Sequence, residues 1–207
     1  MKLRGLYAIT PEYEDGAKLL DQVYEALDGG ISALQYRNKK ASFFLKLHQA
    51  KAFSALCRTR GVPFIVNDNI DIAIASGADG AHLGRDDGDL AAARSKLQGK
   101  ILGVSCYNSL DAARAAVAAG ADYVAFGSAF PSPTKPAAVR APLSLFGEAR
   151  ALGLPLVAIG GITLENAPQL LGAGADALAV ISDLFEAPDV AGRARAYGKL
   201  FHHDLTQ

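Results

Sequence analysis

The chain has 207 residues, half of them apolar and 20% charged, which suits one globular domain with a sizeable core. Lys+Arg and Asp+Glu each number 21, so the net charge is zero and nothing favours nucleic acid or an anionic membrane as partner; any anion must be held by a local site. Cys57 and Cys106 show neither metal-ligand spacing nor a disulfide framework, and the first apolar run breaks at Pro11, too early for a signal peptide, so a reducing cytoplasmic setting is expected.

The first apolar run, at 3–9, leads into a helical pattern with Asp15 placed to cap it and Ala17, Leu20, Val23 and Leu27 on one face. A second run at 32–36 precedes a helix that begins at Ser42 and carries Phe43, Leu47, Ala50 and Cys57 on its stripe. Runs follow at 63–66, 80–83 and 101–105, and a helix then starts after Asn108 and Ser109 with Leu110, Ala113 and Val117 inward. The last runs lie at 123–126, 156–159 and 177–181. Near-continuous apolar runs of this length predict parallel strands buried on both faces. The joins repeat: Ser76-Gly77-Ala78-Asp79, Ala119-Gly120-Ala121-Asp122 and Ala173-Gly174-Ala175-Asp176 each end a helix and lead into a strand, and Gly29-Gly30-Ile31-Ser32 does so without the aspartate. Packing and helix capping account for them. Eight strand signals alternating with eight helical ones predict an α/β fold, a single (β/α)8 TIM-barrel domain over residues 1–207, with an open doubly wound sheet as the competing architecture.

In such a barrel the loops after the strands build the active site. Seven of the eight strands here end in polar or glycine-rich groups. Gln35, Arg37 and Lys39 alternate, so continued strand geometry points them the same way, toward one anion; the competing reading is a solvated loop. Asn67-Asp68 and Asp87 follow the next two strands. Two carboxylates on adjacent loops suit Mg²⁺, which takes one or two carboxylates plus substrate phosphate. Asp86 beside Asp87 leaves open which one points inward, and Asp87 can instead cap a helix. Ser105 ends the fifth strand. Ser132, Thr134 and Lys135 lie in a loop stiffened by Pro131, Pro133 and Pro136, a plausible phosphate clamp. Gly160-Gly161 and Ile181-Ser182, after the seventh and eighth strands, offer backbone N–H groups for a second anion. His82 reads as a satisfied core residue rather than a catalyst, and no nucleophilic triad can be assembled.

In order and at plausible spacing, the motifs Gln35 to Lys39, Asn67-Asp68, His82 to Asp87, Gly103-Val104-Ser105, Pro131 to Lys135 and Ile159 to Ile162 make the chain resemble the thiamine-phosphate synthase family from about Leu6 to Asp183. The resemblance implies that Gln35, Arg37, Lys39, Asn67, Ser105 and Lys135 hold an aminopyrimidine diphosphate. Arg37, Lys39, Ser105 and Lys135 would be catalytic among these, and Asp68 and Asp87 would bind Mg²⁺ on the diphosphate. Ser132, Pro133, Thr134, Gly161, Ile181 and Ser182 would hold a thiazole phosphate. The implied partners are therefore phosphorylated pyrimidine and thiazole substrates, with no nucleic acid and no membrane. The implied reaction ionises the pyrimidine CH2–O bond, and the thiazole nitrogen captures the cation as pyrophosphate leaves. Four positions depart from the family pattern: Arg85 stands where glutamine is expected, Ser132 for threonine, and Cys106-Tyr107 for Thr-His. The rival readings are a thiazole tautomerase of the same superfamily, a non-catalytic binder of phosphorylated ligands, or another phosphate-handling barrel enzyme.

Overall fold

Short runs in which nearly every residue is apolar and buried become strands that can be solvated on neither face, and these strands close on one another. The computed structural model describes residues 3–13, 15–85, 87–131 and 139–201. Its strands are β1 (Gly5–Ile9), β2 (Ala33–Tyr36), β3 (Phe64–Asn67), β4 (Gly80–Leu83), β5 (Ile101–Tyr107), β6 (Tyr123–Phe126), β7 (Leu156–Ile159) and β8 (Ala177–Val180). They pair in parallel in sequence order, and β8 returns to β1 with Tyr7 opposite Ala179. The expected barrel is thus present, and the open sheet is excluded.

Helices α1 (Gly16–Asp28), α2 (Phe43–Arg60), α3 (Ile70–Ala75), α4 (Leu90–Lys96), α5 (Leu110–Ala118), α6 (Ser144–Ala149) and α7 (Ala167–Ala173) lie between strands, and α8 (Ser182–Phe185) and α9 (Val190–Leu200) follow β8. The short α8 is one helix more than the sequence pattern predicts. Asp15 caps α1 as expected, and Ser42 and Ser109 likewise cap α2 and α5, each accepting first-turn N–H groups. The buried faces differ in part from expectation. On α1 the buried residues are Leu19, Val23, Ala26 and Leu27, while Ala17 and Leu20 are exposed. On α2, Phe43 is exposed, and Gln49, Phe53 and Ser54 join Ala50 and Cys57 inward. On α5, Ala116 is buried with Ala113, and Val117 is only half-buried. Among the described residues no helix is long and apolar enough to cross a membrane.

The barrel interior holds Tyr7, Ile9, Ala33, Ile65, Tyr123, Ala125, Val157, Ala177 and Ala179, separate from the larger core between strands and helices. Two tyrosines fit there because their neighbours are small. A Cβ on Gly103 would lie 2.1 Å from the Tyr123 ring. At the opposite end from the loops after the strands, the repeated joins act as clamps. The Asp79, Asp122 and Asp176 carboxylates accept the N–H groups of Phe64, Leu102 and Leu156 at 2.8, 2.8 and 2.9 Å. The same aspartates donate their own N–H to the carbonyls of those residues. Ser32 donates to the Leu6 carbonyl, and its side chain fills the space that Gly5 leaves open. These contacts satisfy the first polar groups of β1, β3, β5 and β7, which would otherwise be unpaired at the barrel's edge.

Candidate active site

The loops after the strands surround one cavity of about 890 Å³. Gln35, Arg37, Lys39, Asn67, Asp68, Asp87, Ser105, Gly161, Ile181 and Ser182 all line it, so residues from six strands and their following loops meet there. Ser132, Pro133, Thr134 and Lys135 lie outside the described residues, as does Asp86.

Gln35, Arg37 and Lys39 form a ladder by depth: Gln35 is buried, Arg37 half-buried and Lys39 exposed. Arg37 is not a free cation. Its Nη1 donates to Glu12 at 2.6 Å, and its backbone N–H donates to the Thr10 hydroxyl at 2.9 Å. Thr10 in turn donates to the Arg37 carbonyl at 3.2 Å. The first strand therefore also serves the rim, a contribution the sequence reading missed although Thr10-Pro11-Glu12 is visible in the sequence.

Lys39 Nζ lies 3.6 Å from Asp68 Oδ2. Asp68 adopts a left-handed backbone with φ 61°, and it lines the cavity. Burial, then the neighbouring Asp87 carboxyl by hydrogen bond and charge, push the Asp68 carboxyl above its ordinary value, while Lys39 and Arg37 pull it down. Asp87 does not cap α4; Asp89 does, and Asp87 Oδ2 instead accepts the Gly84 N–H at 2.6 Å. Two carboxylates are thus pressed together beside cations. Among the described residues no group of three or more His, Cys, Asp or Glu side chains could form a protein-only metal cage. The donor set fits a hard cation that keeps water and shares a phosphate.

On the opposite wall, Gly160 and Gly161 have φ 103° and 63°. A Cβ on Gly161 would come within 2.2 Å of the Pro131 carbonyl, so glycine lets this loop lie against the loop after β6. Asn166 Nδ2 donates to the Gly161 carbonyl at 2.9 Å, holding the loop. Ser182 opens α8, which is tied to α9: Arg193 Nη1 donates to both Asp183 oxygens at 2.8 Å, and the Tyr197 hydroxyl donates to Asp183 at 2.7 Å.

The cavity floor is polar. Gln35 Nε2 donates to the Tyr7 hydroxyl at 2.9 Å, and the Tyr7 and Tyr123 hydroxyls lie 2.7 Å apart. His82 Nδ1 is 2.9 Å from the Tyr123 hydroxyl, and His82 Nε2 is 2.8 Å from Ser105 Oγ. Burial pushes both tyrosines well up, so both stay protonated, and pushes His82 down to about 4, so its ring is neutral. His82 is a satisfied core residue, as expected, yet it also reaches the cavity through Ser105. Cys57 and Cys106 are buried and pushed up to about 12, which leaves them thiols without a nucleophilic role.

Two departures from the family pattern meet. The Arg85 guanidinium lies 4.8 Å from the centroid of the Tyr107 ring, and both residues line the cavity.

The family model of thiamine monophosphate synthase matches residues 6–184. The chain is 59% identical to the thiamine-phosphate synthase of Aromatoleum aromaticum, over 97% of each chain. It is 54% identical to that of Methylobacillus flagellatus, over 97% of this chain and 96% of the relative. Among solved structures, the thiamine phosphate pyrophosphorylase of Pyrococcus furiosus superposes with a TM-score of 0.88 at 35% identity, over 99% of this chain and 98% of that one.

Proposed function

Since this chain belongs to the thiamine monophosphate synthase family and is a transferase, we propose that it joins an aminopyrimidine methyl diphosphate to a (carboxy)thiazole phosphate, giving thiamine phosphate and pyrophosphate (and CO2 from the carboxylated thiazole). The observation that carries this reading is the convergence of Arg37 and Lys39 with the paired carboxylates Asp68 and Asp87 on one side of a single cavity, facing the Gly161 and Ser182 loops on the other. That is two anion-binding walls with a polar floor between them. A coupling of two phosphorylated substrates needs this arrangement.

Gln35 and Ser105 at the floor hold the pyrimidine ring. Arg37, oriented by Glu12, and Lys39 bind the diphosphate and stabilise the charge that grows on it as the CH2–O bond breaks. Asp68 and Asp87 would hold Mg²⁺, which when bound neutralises the leaving diphosphate. The Gly161 and Ser182 loops, together with Ser132, Pro133 and Thr134 of the proline-rich loop, position the thiazole phosphate so that the thiazole nitrogen faces the pyrimidine methylene. Lys135 belongs to the diphosphate set on the family pattern. The ring's own electron density stabilises the cation, so no side-chain nucleophile is required, in keeping with two inert thiols. The close walls orient the nitrogen and limit capture by water.

The test incubates the purified chain with both substrates and Mg²⁺. Thiamine phosphate and pyrophosphate should appear in equal amounts. Isomerised thiazole without coupling would point to a tautomerase instead, and binding of both compounds without any product would point to a non-catalytic binder.

A further inference from the structure

The floor of the cavity is a single file of hydrogen bonds, and its direction can be worked out from donor counting. Gln35 Nε2 carries hydrogens and no lone pair, so at Tyr7 it can only donate. Tyr7 and Tyr123 have one hydroxyl hydrogen each, and the neutral ring of His82 has one N–H. Three arrangements satisfy the distances; one of them, with Tyr7 and His82 Nδ1–H both donating to Tyr123, leaves the buried Tyr123 hydrogen without an acceptor. In the second, Tyr7 donates to Tyr123, Tyr123 donates to His82 Nδ1, and His82 Nε2–H donates to Ser105. In the third, every one of these bonds is reversed. Tyr7 would then accept from both Gln35 and Tyr123, and its own hydrogen would have no acceptor among the described residues, although the side chain is only 1% exposed at the bottom of the cavity. An unpaired buried hydroxyl is costly, and the second arrangement avoids it.

We infer that His82 is a positioning residue: held as the Nε2–H tautomer by Tyr123, it occupies a lone pair of Ser105 and leaves the Ser105 hydroxyl hydrogen to be donated into the cavity. The bond order runs across the barrel, from β2 through β1, β6 and β4 to β5, so the polarity of Ser105 is set by Gln35 on the far side. Both ends of the file line the same cavity. A ring seated between them meets a donor at Ser105 and, at Gln35, the carbonyl oxygen of the amide. An aminopyrimidine offers a ring-nitrogen lone pair to Ser105. The corresponding pyrimidinone offers an N–H there and binds less well, because Ser105 must accept it with its remaining lone pair and turn its own hydrogen away from the ring. The file therefore determines specificity for the amino over the oxo ring; this consequence rests on the proposed function, whereas the tautomer does not.

Gly103 is part of the device. It leaves the space that the Tyr123 ring fills, and that ring stacks on His82 with centroids 5.6 Å apart and an interplanar angle of 23°.

The test is ¹⁵N NMR of substrate-free protein labelled at histidine, with His82 assigned by loss of its signals in His82→Gln. The wild type should show a protonated Nε2 and an unprotonated Nδ1. In Gln35→Glu the carboxylate can only accept, so the file should turn over and His82 should become the Nδ1–H tautomer. Tyr123→Phe should leave His82 without a fixed tautomer and raise KM for the pyrimidine diphosphate about tenfold, the loss of one oriented hydrogen bond, with a smaller change in kcat. An Nδ1–H tautomer or an imidazolium in the wild type would overturn the inference whatever the variants do. If the tautomer is as stated but no thiamine phosphate forms, the proposed function fails and the positioning role of His82 stands.

Discussion

Replacing Asp68 with asparagine separates the strain of the site from its chemistry. Asparagine tolerates the left-handed backbone at this position (φ 61°), as alanine would not, so the substitution changes charge with little backbone cost. Burial and the adjacent Asp87 raise the Asp68 carboxyl above its ordinary value, with Lys39 and Arg37 offsetting only part of the effect. The ionised form is therefore worse accommodated in the folded chain than in water. Its cost is fully present near neutral pH and is relieved as pH falls toward the ordinary value of 3.8, because the folded chain takes up the proton first. The carboxyl is 30% exposed, and its half-exposed ion pair with Lys39 is lost as well. The metal-free variant should therefore be more stable than the wild type, within the roughly 0–1 kcal/mol of a partly exposed charge contact, or up to about 4 °C in Tm. Urea unfolding followed by circular dichroism, first without divalent cation and then with Mg²⁺ and inorganic pyrophosphate, measures both parts. Mg²⁺ with pyrophosphate should stabilise the wild type and leave the variant unmoved, and coupling activity should be lost. A variant less stable than the wild type without metal would refute the electrostatic reasoning. An undiminished response to Mg²⁺ would remove Asp68 from the metal site.

His82 should behave with the opposite sign. Its folded value of about 4 lies below the 6.5 of an unperturbed histidine, so stability is lost as pH falls from about 6.5 toward 4, by roughly 3 kcal/mol in all; an imidazole that titrates near 6.5 in the folded protein would contradict this. Gly161→Ala places a methyl group within 2.2 Å of the Pro131 carbonyl at a positive φ, and should destabilise the chain by about 1–3 kcal/mol and raise KM for the thiazole phosphate more than for the pyrimidine. Equal KM values would show that the loop does not bind that substrate. Arg85→Gln should raise KM for the pyrimidine diphosphate about threefold, the effect of one exposed cation, and the effect should shrink at high salt; an unchanged KM would mean that Arg85 serves only to cover Tyr107.

The strands were legible because burial on both faces leaves an unbroken apolar run, and their observed limits fall within two residues of the expected ones. Helix faces were less legible. An α1 stripe drawn through Leu20 and one drawn through Leu19 differ by a single residue, and only contact with the barrel decides between them. Phe43 satisfied the periodicity of α2, but periodicity does not tell which turns of a helix have something to pack against. At the site, the rim residues could be found because they follow strands in order, and the resemblance gave their set. Tyr7 and Tyr123 could not be found, since within a strand a tyrosine looks like any other large apolar residue until its hydroxyl has a partner. Glu12 was visible but had no motif to mark it, and its role appears only when Arg37 is seen to reach it.

The clamps at the foot of the barrel divide the chain into quarters. Ser32, Asp79, Asp122 and Asp176 each hold the strand that comes one helix earlier, so every clamp lies within its own strand–helix–strand segment. A chimaera spliced within α2, α4 or α6 inherits whole clamps from each parent, whereas one spliced within α1, α3, α5 or α7 separates a clamp from the strand it holds. The interior file ignores these borders: Tyr7, His82 and Tyr123 come from three different quarters. Exchange of quarters between relatives is thus a question of two kinds. The foot of the barrel decides whether the hybrid closes, and the tyrosines and histidine at its centre decide whether it still recognises its ring.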